Sequence, residues 1–260
     1  MIDLTTLADL TPGICSVTLR SQGGIDDVVR ISSDAGLAGI EWGGTDVHVS
    51  DSESAAHAKE ATVAAGLSVL SLGSYYRCGA FEDFGRALDL ATGLGAPPDP
   101  RVGRRTWLCR GQRGPLGCGG PRHPAYRRSC GRPRHRHRLR VPRQHPYRLP
   151  RHHPRLTEPG ESPNVGTYWQ PAVGLSDKQA LESLHEVLPH LAGVHCFSWG
   201  GPEAERFPLR NRKLLWQTVT DVLRGNGKDM DIMLEFVEDD LPENVLNDAA
   251  FLHTITLGED

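Results

Sequence analysis

Apolar residues fall along this chain in short runs that alternate with longer amphipathic stretches. Ile14-Cys15-Ser16-Val17-Thr18-Leu19 is apolar and β-branched and predicts a first strand. After Gly23-Gly24, apolar positions at Ile25, Val28, Val29 and Ile31 predict a helix to Ala35, ended by Gly36. Leu37 to Trp42 reads as a second buried strand closed by Gly43-Gly44. Ser52 or Ser54 can cap a helix that runs to Ala65 and stops at Gly66. Leu67 to Leu72 predicts a third strand, and Phe81 to Ala91 a third helix stopped at Gly93-Leu94-Gly95. Strands alternating with glycine-terminated helices imply a parallel sheet with helical crossovers.

The pattern lapses from Pro97 to Thr157 and resumes afterwards. Asn164 to Pro171 reads as a strand, and Ser176 with Gln179 forms a capping box that opens a helix carrying Leu181, Leu184, Val187 and Leu188. Leu191 to Trp199 is a buried strand with His195 inside it, and a helix from Arg212 to Leu223 stops at Gly225-Asn226-Gly227. Asp231 to Glu238 predicts a last strand, and a helix from Asn244 to Leu252 follows Pro242. Six strand–helix units in 260 residues suit an α/β fold, either an eight-fold (β/α)8 barrel or a doubly wound sheet. No G-x-G-x-x-G follows the first strand, which counts against a dinucleotide-binding sheet. On the barrel reading the chain is one domain: three units in 1–96, an aberrant segment in 97–157, and three units in 158–260. The fourth and fifth units fall inside the aberrant segment, so the expected barrel is incomplete.

Charge sharpens that division. Between Pro97 and Gly160 stand 17 of the chain's 29 Lys and Arg residues, all of them Arg, with only Asp99 and Glu158 opposed. That stretch also holds 12 of the 19 Pro and six of the 12 His. The net charge of −3 therefore averages a segment at +15 with an acidic remainder at −18, and such a remainder has no special affinity for polyanions. No run of 18 apolar residues predicts a membrane span, and the N-terminus lacks the pattern of a signal peptide. Six scattered cysteines without C-x-x-C spacing read as reduced thiols of a cytoplasmic protein.

In a barrel, side chains at the C-terminal ends of strands read as functional. Glu41 closes an apolar strand, where a carboxylate is costly unless it is paired or bound. A structural bridge from Glu41 to Arg20 or Arg77 is the competing reading. His48 in the following loop reads, alone, as a solvated histidine, and Ser74-Tyr75-Tyr76 follow the third strand. Gln170, His195 and Glu235 lie on or at the ends of three successive strands, so their side chains can converge on a metal or a small ligand. Glu235 between Met233-Leu234 and Phe236-Val237 is the most specific of these, because an acid in an apolar strand needs a cation. His195 taken alone reads as a hydrogen-bonded core histidine.

The chain resembles the sugar phosphate isomerase/epimerase family, the xylose-isomerase-like TIM barrels. The residues behind the resemblance are Gly39-Ile40-Glu41-Trp42-Gly43-Gly44 with Asp46-Val47-His48-Val49, and Ser71-Leu72-Gly73-Ser74-Tyr75-Tyr76-Arg77. To these are added Pro163 to Pro171, and Leu234-Glu235-Phe236-Val237 followed by Asp239-Asp240. The likeness covers about 1–96 and 158–260. It implies one divalent ion (Mn, Mg or Co) held by a Glu, an Asp, a His and a second Glu. The two Glu would move a proton at the carbon beside a carbonyl, and the ion would stabilise the enediolate. Position by position, Glu235 is the last Glu, as ligand and acid/base, His195 is the His, and Gln170 stands at the Asp position as a neutral ligand. Glu41, His48 and Trp169 become candidate contacts to a small sugar substrate. Homo-oligomerisation is compatible with the family.

Two readings compete for 97–157. As a basic arm it would bind nucleic acid in a salt-dependent, sequence-independent manner. Against that, it has no Lys and no aromatic interleaving, and it replaces two units a barrel needs to close. As a frameshift remnant it has the composition of GC-rich DNA read out of frame. Read one base downstream, codons for Pro98 to Gly103 can give RIRVWAG, a plausible fourth strand. Codons for Arg132 through His153 can give a segment resembling GIDIAYEFHGNTLTDSPATT, whose Glu codon straddles Arg140 and Val141. The frameshift reading is preferred. It predicts a poorly folded middle, and little or no activity because one catalytic carboxylate is missing.

Overall fold

The computed structural model describes residues 7–44, 47–74, 81–95, 105–110, 135–140, 165–200 and 205–258. Its sheet is a closed, parallel barrel. The strands are β1 (Leu10–Cys15), β2 (Gly39–Gly43), β3 (Ser68–Ser74), β4 (Arg105–Arg110), β5 (His135–Arg140), β6 (Val165–Trp169), β7 (Leu191–Cys196) and β10 (Met230–Leu234), in ring order β1-β10-β7-β6-β5-β4-β3-β2. A short antiparallel hairpin, β8 (Ser198–Gly200) with β9 (Glu205–Phe207), follows β7. Helices α1 (Ile25–Asp34), α2 (Ser52–Ala64), α3 (Phe81–Gly93), α4 (Asp177–Val187), α5 (Lys213–Gly225) and α6 (Pro242–Leu257) accompany the strands.

The middle segment departs from its reading as irregular chain. It supplies β4 and β5, which pair with each other over six residues from Arg105↔His135 to Arg110↔Arg140, and with β3 and β6 on either side. Backbone pairing needs no apolar side chains, so the barrel closes even through His135–Arg140, whose sequence carries no strand pattern. The remainder of 97–157, and with it the expectation of a poorly folded middle, lies outside the described residues.

Three element boundaries shift for identifiable reasons. The first strand is Leu10–Cys15, and Ser16–Leu19 forms a 3-10 turn instead of continuing it. Ser16 Oγ accepts from Gly43 N at 2.8 Å, and Thr18 Oγ1 donates to Leu234 O and accepts from Phe236 N. These bonds bend the chain over the barrel mouth despite the β propensity of Val17 and Thr18. The same Thr18 bond, with Phe236 at φ 63°, ends the last strand at Leu234, so Glu235 sits just beyond it. The stretch from Leu191 to Trp199 breaks at Phe197 into β7 and the hairpin. At α2 the cap is Asp51, with Ser54 as its reciprocal partner, while the Ser176–Gln179 box opens α4 as expected.

The main core lies between the barrel and its helices, with Ile40, Trp42, Leu184, Trp216, Leu223 and Leu252 fully buried in it. Inside the barrel a second cluster of Cys15, Tyr168 and Met233 packs with Leu70. Gly13 and Gly39 face one another in register, and a Cβ on Gly39 would meet Ser68 O at 2.6 Å and the Leu70 side chain at 2.7 Å. Leu70 thus fills the barrel floor because two neighbouring strands lack side chains there. Among the described residues no helix is long and apolar enough to cross a membrane.

Candidate functional site

Glu41 on β2, His195 on β7 and Glu235 beyond β10 meet inside the barrel at its C-terminal end, and all three are buried, at 3%, 0% and 1% exposure. His195 Nε2 lies 3.3 Å from Glu41 Oε1, and its Nδ1 lies 3.6 Å from Glu235 Oε2. One imidazole therefore stands between two carboxylates, and buried charges of this kind persist only with counter-charge or strong hydrogen bonding. Nδ1 makes no hydrogen bond among the described residues.

Polar neighbours fix the arrangement. Ser71 Oγ donates to Glu41 Oε2 at 2.6 Å, and Tyr168 OH donates to Ser71 Oγ at 3.2 Å. Tyr168 also stacks on His195, with ring centroids 4.7 Å apart and planes 17° from parallel. Strand register places these groups at one level: Cys15 pairs with Glu41, Glu41 with Ser71, and Met233 with His195. Glu235 N donates to Cys196 O, which anchors the residue after β10 to β7. Burial pushes the Cys196 thiol well above the usual range, with Asp248 and Glu235 adding to it, so that sulfur is inert.

The competing reading, a bridge from Glu41 to Arg20 or Arg77, is not met at Arg20. Arg20 binds Asp240 at 2.7 Å, Arg206 binds the same carboxylate, and Phe197, Trp199 and Phe236 contact one another beside them. Arg77 lies outside the described residues, as do Tyr75 and Tyr76.

His48 is half-buried at the ends of β1 and β2. Its Nδ1 is 3.1 Å from Ser16 Oγ, and burial lowers its pKa. It is an anchored histidine, unlike the solvated one its loop position suggested. Gln170 follows β6 at the same end of the barrel and is half-buried. Trp169 is a correction. Its Nε1 donates to Ser183 Oγ on α4 and its ring meets Trp216 of α5 edge to face, so it faces the helices and is not placed to touch a substrate in the barrel. Successive strand residues point to opposite sides, and on β6 the inward one is Tyr168.

Three groups escaped the sequence reading: Tyr168, Ser71 and Cys15. Ser71 was visible as the polar residue inside Leu70-Ser71-Leu72. Cys15 and Tyr168 carry no signal until the parity of their strands is known. Cys15, Glu41 and His195 together could hold a metal ion, with one ligand atom from each lying within 4.8 Å of the others.

No family model matches the chain, and no curated protein matches it. Solved structures do. A xylose isomerase domain protein from Alicyclobacillus acidocaldarius is similar at 13% identity and TM-score 0.61, over 95% of this chain and 98% of that one. D-psicose 3-epimerase from Clostridium cellulolyticum is similar at 11% identity and TM-score 0.58, over 95% and 99%. The probable 3-DHS dehydratase AsbF from Bacillus anthracis is similar at 14% identity and TM-score 0.59, over 94% and 98%. At such identities the likeness is one of fold: this chain shares the barrel of xylose-isomerase-like proteins and sugar epimerases.

Proposed function

We propose that this barrel is a metal-assisted isomerase or epimerase of a small sugar or sugar phosphate, and that this chain is impaired, with little or no activity. The observation behind this reading is the buried His195 with Glu235 beside it at the strand ends, in a fold shared with sugar epimerases. A divalent ion (Mn, Mg or Co) suits these donors: the imidazole nitrogen facing Glu235 makes no hydrogen bond among the described residues, and a carboxylate oxygen stands just beyond hydrogen-bond reach. His195 and Glu235 would hold it, with Gln170 as a third, neutral ligand. When bound, such an ion polarises the carbonyl and hydroxyl oxygens of a sugar and stabilises an enediolate.

Glu235 is the group assigned to take and return a proton at the carbon beside the carbonyl. Its backbone is fixed on β7, and burial strengthens its charge interactions. Glu41 and His48 are the assigned substrate contacts, on and after β2, two strands round the ring from β10.

Epimerisation needs a second acid/base on the other face, and the described residues supply none assigned to that role. β5 ends at Arg140, and the shifted reading places a Glu codon across Arg140 and Val141, at the C-terminal end of that strand. That coincidence supports a frameshift over a basic arm. Cys15 and Cys196 are in no disulfide among the described residues, which fits a reducing, cytoplasmic setting.

The experiment compares this chain with one whose frame is restored across 97–157, each incubated with ketohexoses and Mn²⁺ and assayed by sugar chromatography. Epimer or aldose formation by the restored chain, at least a hundredfold above this one, is the expected result. No product from the restored chain would reject the reading, and equal turnover by both would reject the impairment.

A further inference from the structure

We propose that Cys15, Glu41 and His195 form a binding site for a thiophilic divalent ion of the zinc class, on the side of the imidazole away from Glu235. The proposal goes beyond the sugar reading and does not depend on it; the two sites share one imidazole, so an ion here competes with an ion beside Glu235 and displaces it.

The three side chains come from β1, β2 and β7, are buried, and bring their ligand atoms within 4.8 Å of one another. Cys15 and Glu41 are register partners, so they lie side by side at one level of the barrel. The distance from His195 Nε2 to Glu41 Oε1 is 3.3 Å, long for an N–H···O bond, whose usual value is about 2.9 Å. It matches the edge, about 3.3 Å, of a tetrahedron with arms of roughly 2.0–2.1 Å, the bond lengths zinc makes to nitrogen and oxygen.

The surroundings have the form of outer partners to a metal site. Ser71 donates to Glu41 Oε2 and is itself held by Tyr168, which fixes the carboxylate with both oxygens beside the imidazole Nε2, Oε1 at 3.3 Å and Oε2 at 3.4 Å. Tyr168 stacked on His195 fixes the ring plane. On the far nitrogen, Glu235 Oε2 at 3.6 Å is the carboxylate towards which a metal-bound histidine directs its remaining N–H.

A thiolate, an imidazole and one carboxylate make a borderline-soft donor set, which selects Zn²⁺ or Co²⁺ over Mg²⁺, and these are the three ligands among the described residues. On binding, the Cys15 thiol gives up its proton to solvent. A neutral imidazole has a single lone pair. An ion on Nε2 therefore keeps Nδ1 protonated and excludes an ion ligated through Nδ1 beside Glu235.

The test uses the full chain, stripped with a chelator and titrated with Co²⁺. The near-ultraviolet thiolate-to-cobalt charge-transfer band should grow to one equivalent and be displaced by Zn²⁺. Cys15→Ser should abolish the band and weaken Co²⁺ binding at least tenfold, and Cys15→Ala should do the same should the serine variant misfold by circular dichroism. Glu235→Gln should retain the band. A band that survives both Cys15 variants overturns the proposal, because the sulfur then comes from another cysteine. Co²⁺ binding without a band, lost in Glu235→Gln, also overturns it and leaves the sugar-site reading standing. No Co²⁺ binding at all overturns both this site and the metal dependence of that reading.

Discussion

His195 Nε2 reaches to within 3.3 Å of Glu41 Oε1, a residue 154 positions earlier in the chain, across the inside of a closed barrel. The ring order puts β1 and β10 between their strands, so the contact spans the interior and does not follow the wall. Polar side chains flank that pair: Ser71 and Tyr168 on the carboxylate side, Glu235 on the other side of the ring.

Ser71 carries the arrangement from Tyr168 to Glu41. Ser71→Ala removes the hydroxyl that donates to a buried carboxylate and accepts from a buried phenol. Loss of a hydrogen bond to a charged group, with a buried partner left behind, costs about 2–3 kcal/mol. Urea unfolding of the variant should show that loss, with an unchanged m-value. A change below about 0.5 kcal/mol would mean that Ser71 does not hold the carboxylate.

Gly39 is the packing counterpart of that polar centre. Gly39→Ala drives a Cβ against Ser68 O and Leu70 at the floor of the barrel. Overpacking against backbone should cost about 2–3 kcal/mol. The double variant Gly39→Ala with Leu70→Ala should recover only part of this, since the carbonyl clash persists. Thermal melts of the two variants decide it, and full recovery would place the strain on Leu70 alone.

Asp248 on α6 gives the fold a pH dependence. Burial raises its pKa from 3.8 to about 6, opposed by the Leu209 N–H it accepts from and by Arg210. A carboxyl raised on folding contributes stability that is complete below pH 3.8 and lost as the pH climbs through about 6. Asp248→Asn keeps an oxygen for Leu209 N and stays neutral. It should therefore stabilise the protein at pH 8 by roughly 1–3 kcal/mol and have little effect at pH 4. The same increment at both pH values would show that the gain is not one of charge.

The glycine stops and apolar runs made most barrel units legible, because buried parallel strands need continuous apolar residues and helices need places to end. Glu41, His195 and Glu235 stood out for the converse reason, as polar groups in strands that otherwise bury completely. What sequence withheld was parity. One residue separates Tyr168, stacked on His195, from Trp169 among the helices, and both are large aromatics in the same short strand. β5 was invisible for a different reason: its pairing is carried by backbone, and Arg and His at alternate positions give no apolar period to read, while the short Trp107-Leu108-Cys109 run of β4 stands alone in an Arg- and Pro-rich stretch. Turns such as Ser16–Leu19 depend on side-chain bonds to residues more than 200 positions away, which no local pattern reports.

Proton transfer by Glu235 is read by following solvent deuterium into sugar carbon. With Mn²⁺ in D₂O, the frame-restored chain should place deuterium at the carbon beside the carbonyl of a ketohexose, read by proton NMR. Glu235→Gln in that background should slow the exchange at least a hundredfold, about 3 kcal/mol in barrier. Exchange that proceeds unchanged without Glu235, or an absence of exchange in the restored chain with every ketohexose, would contradict the account.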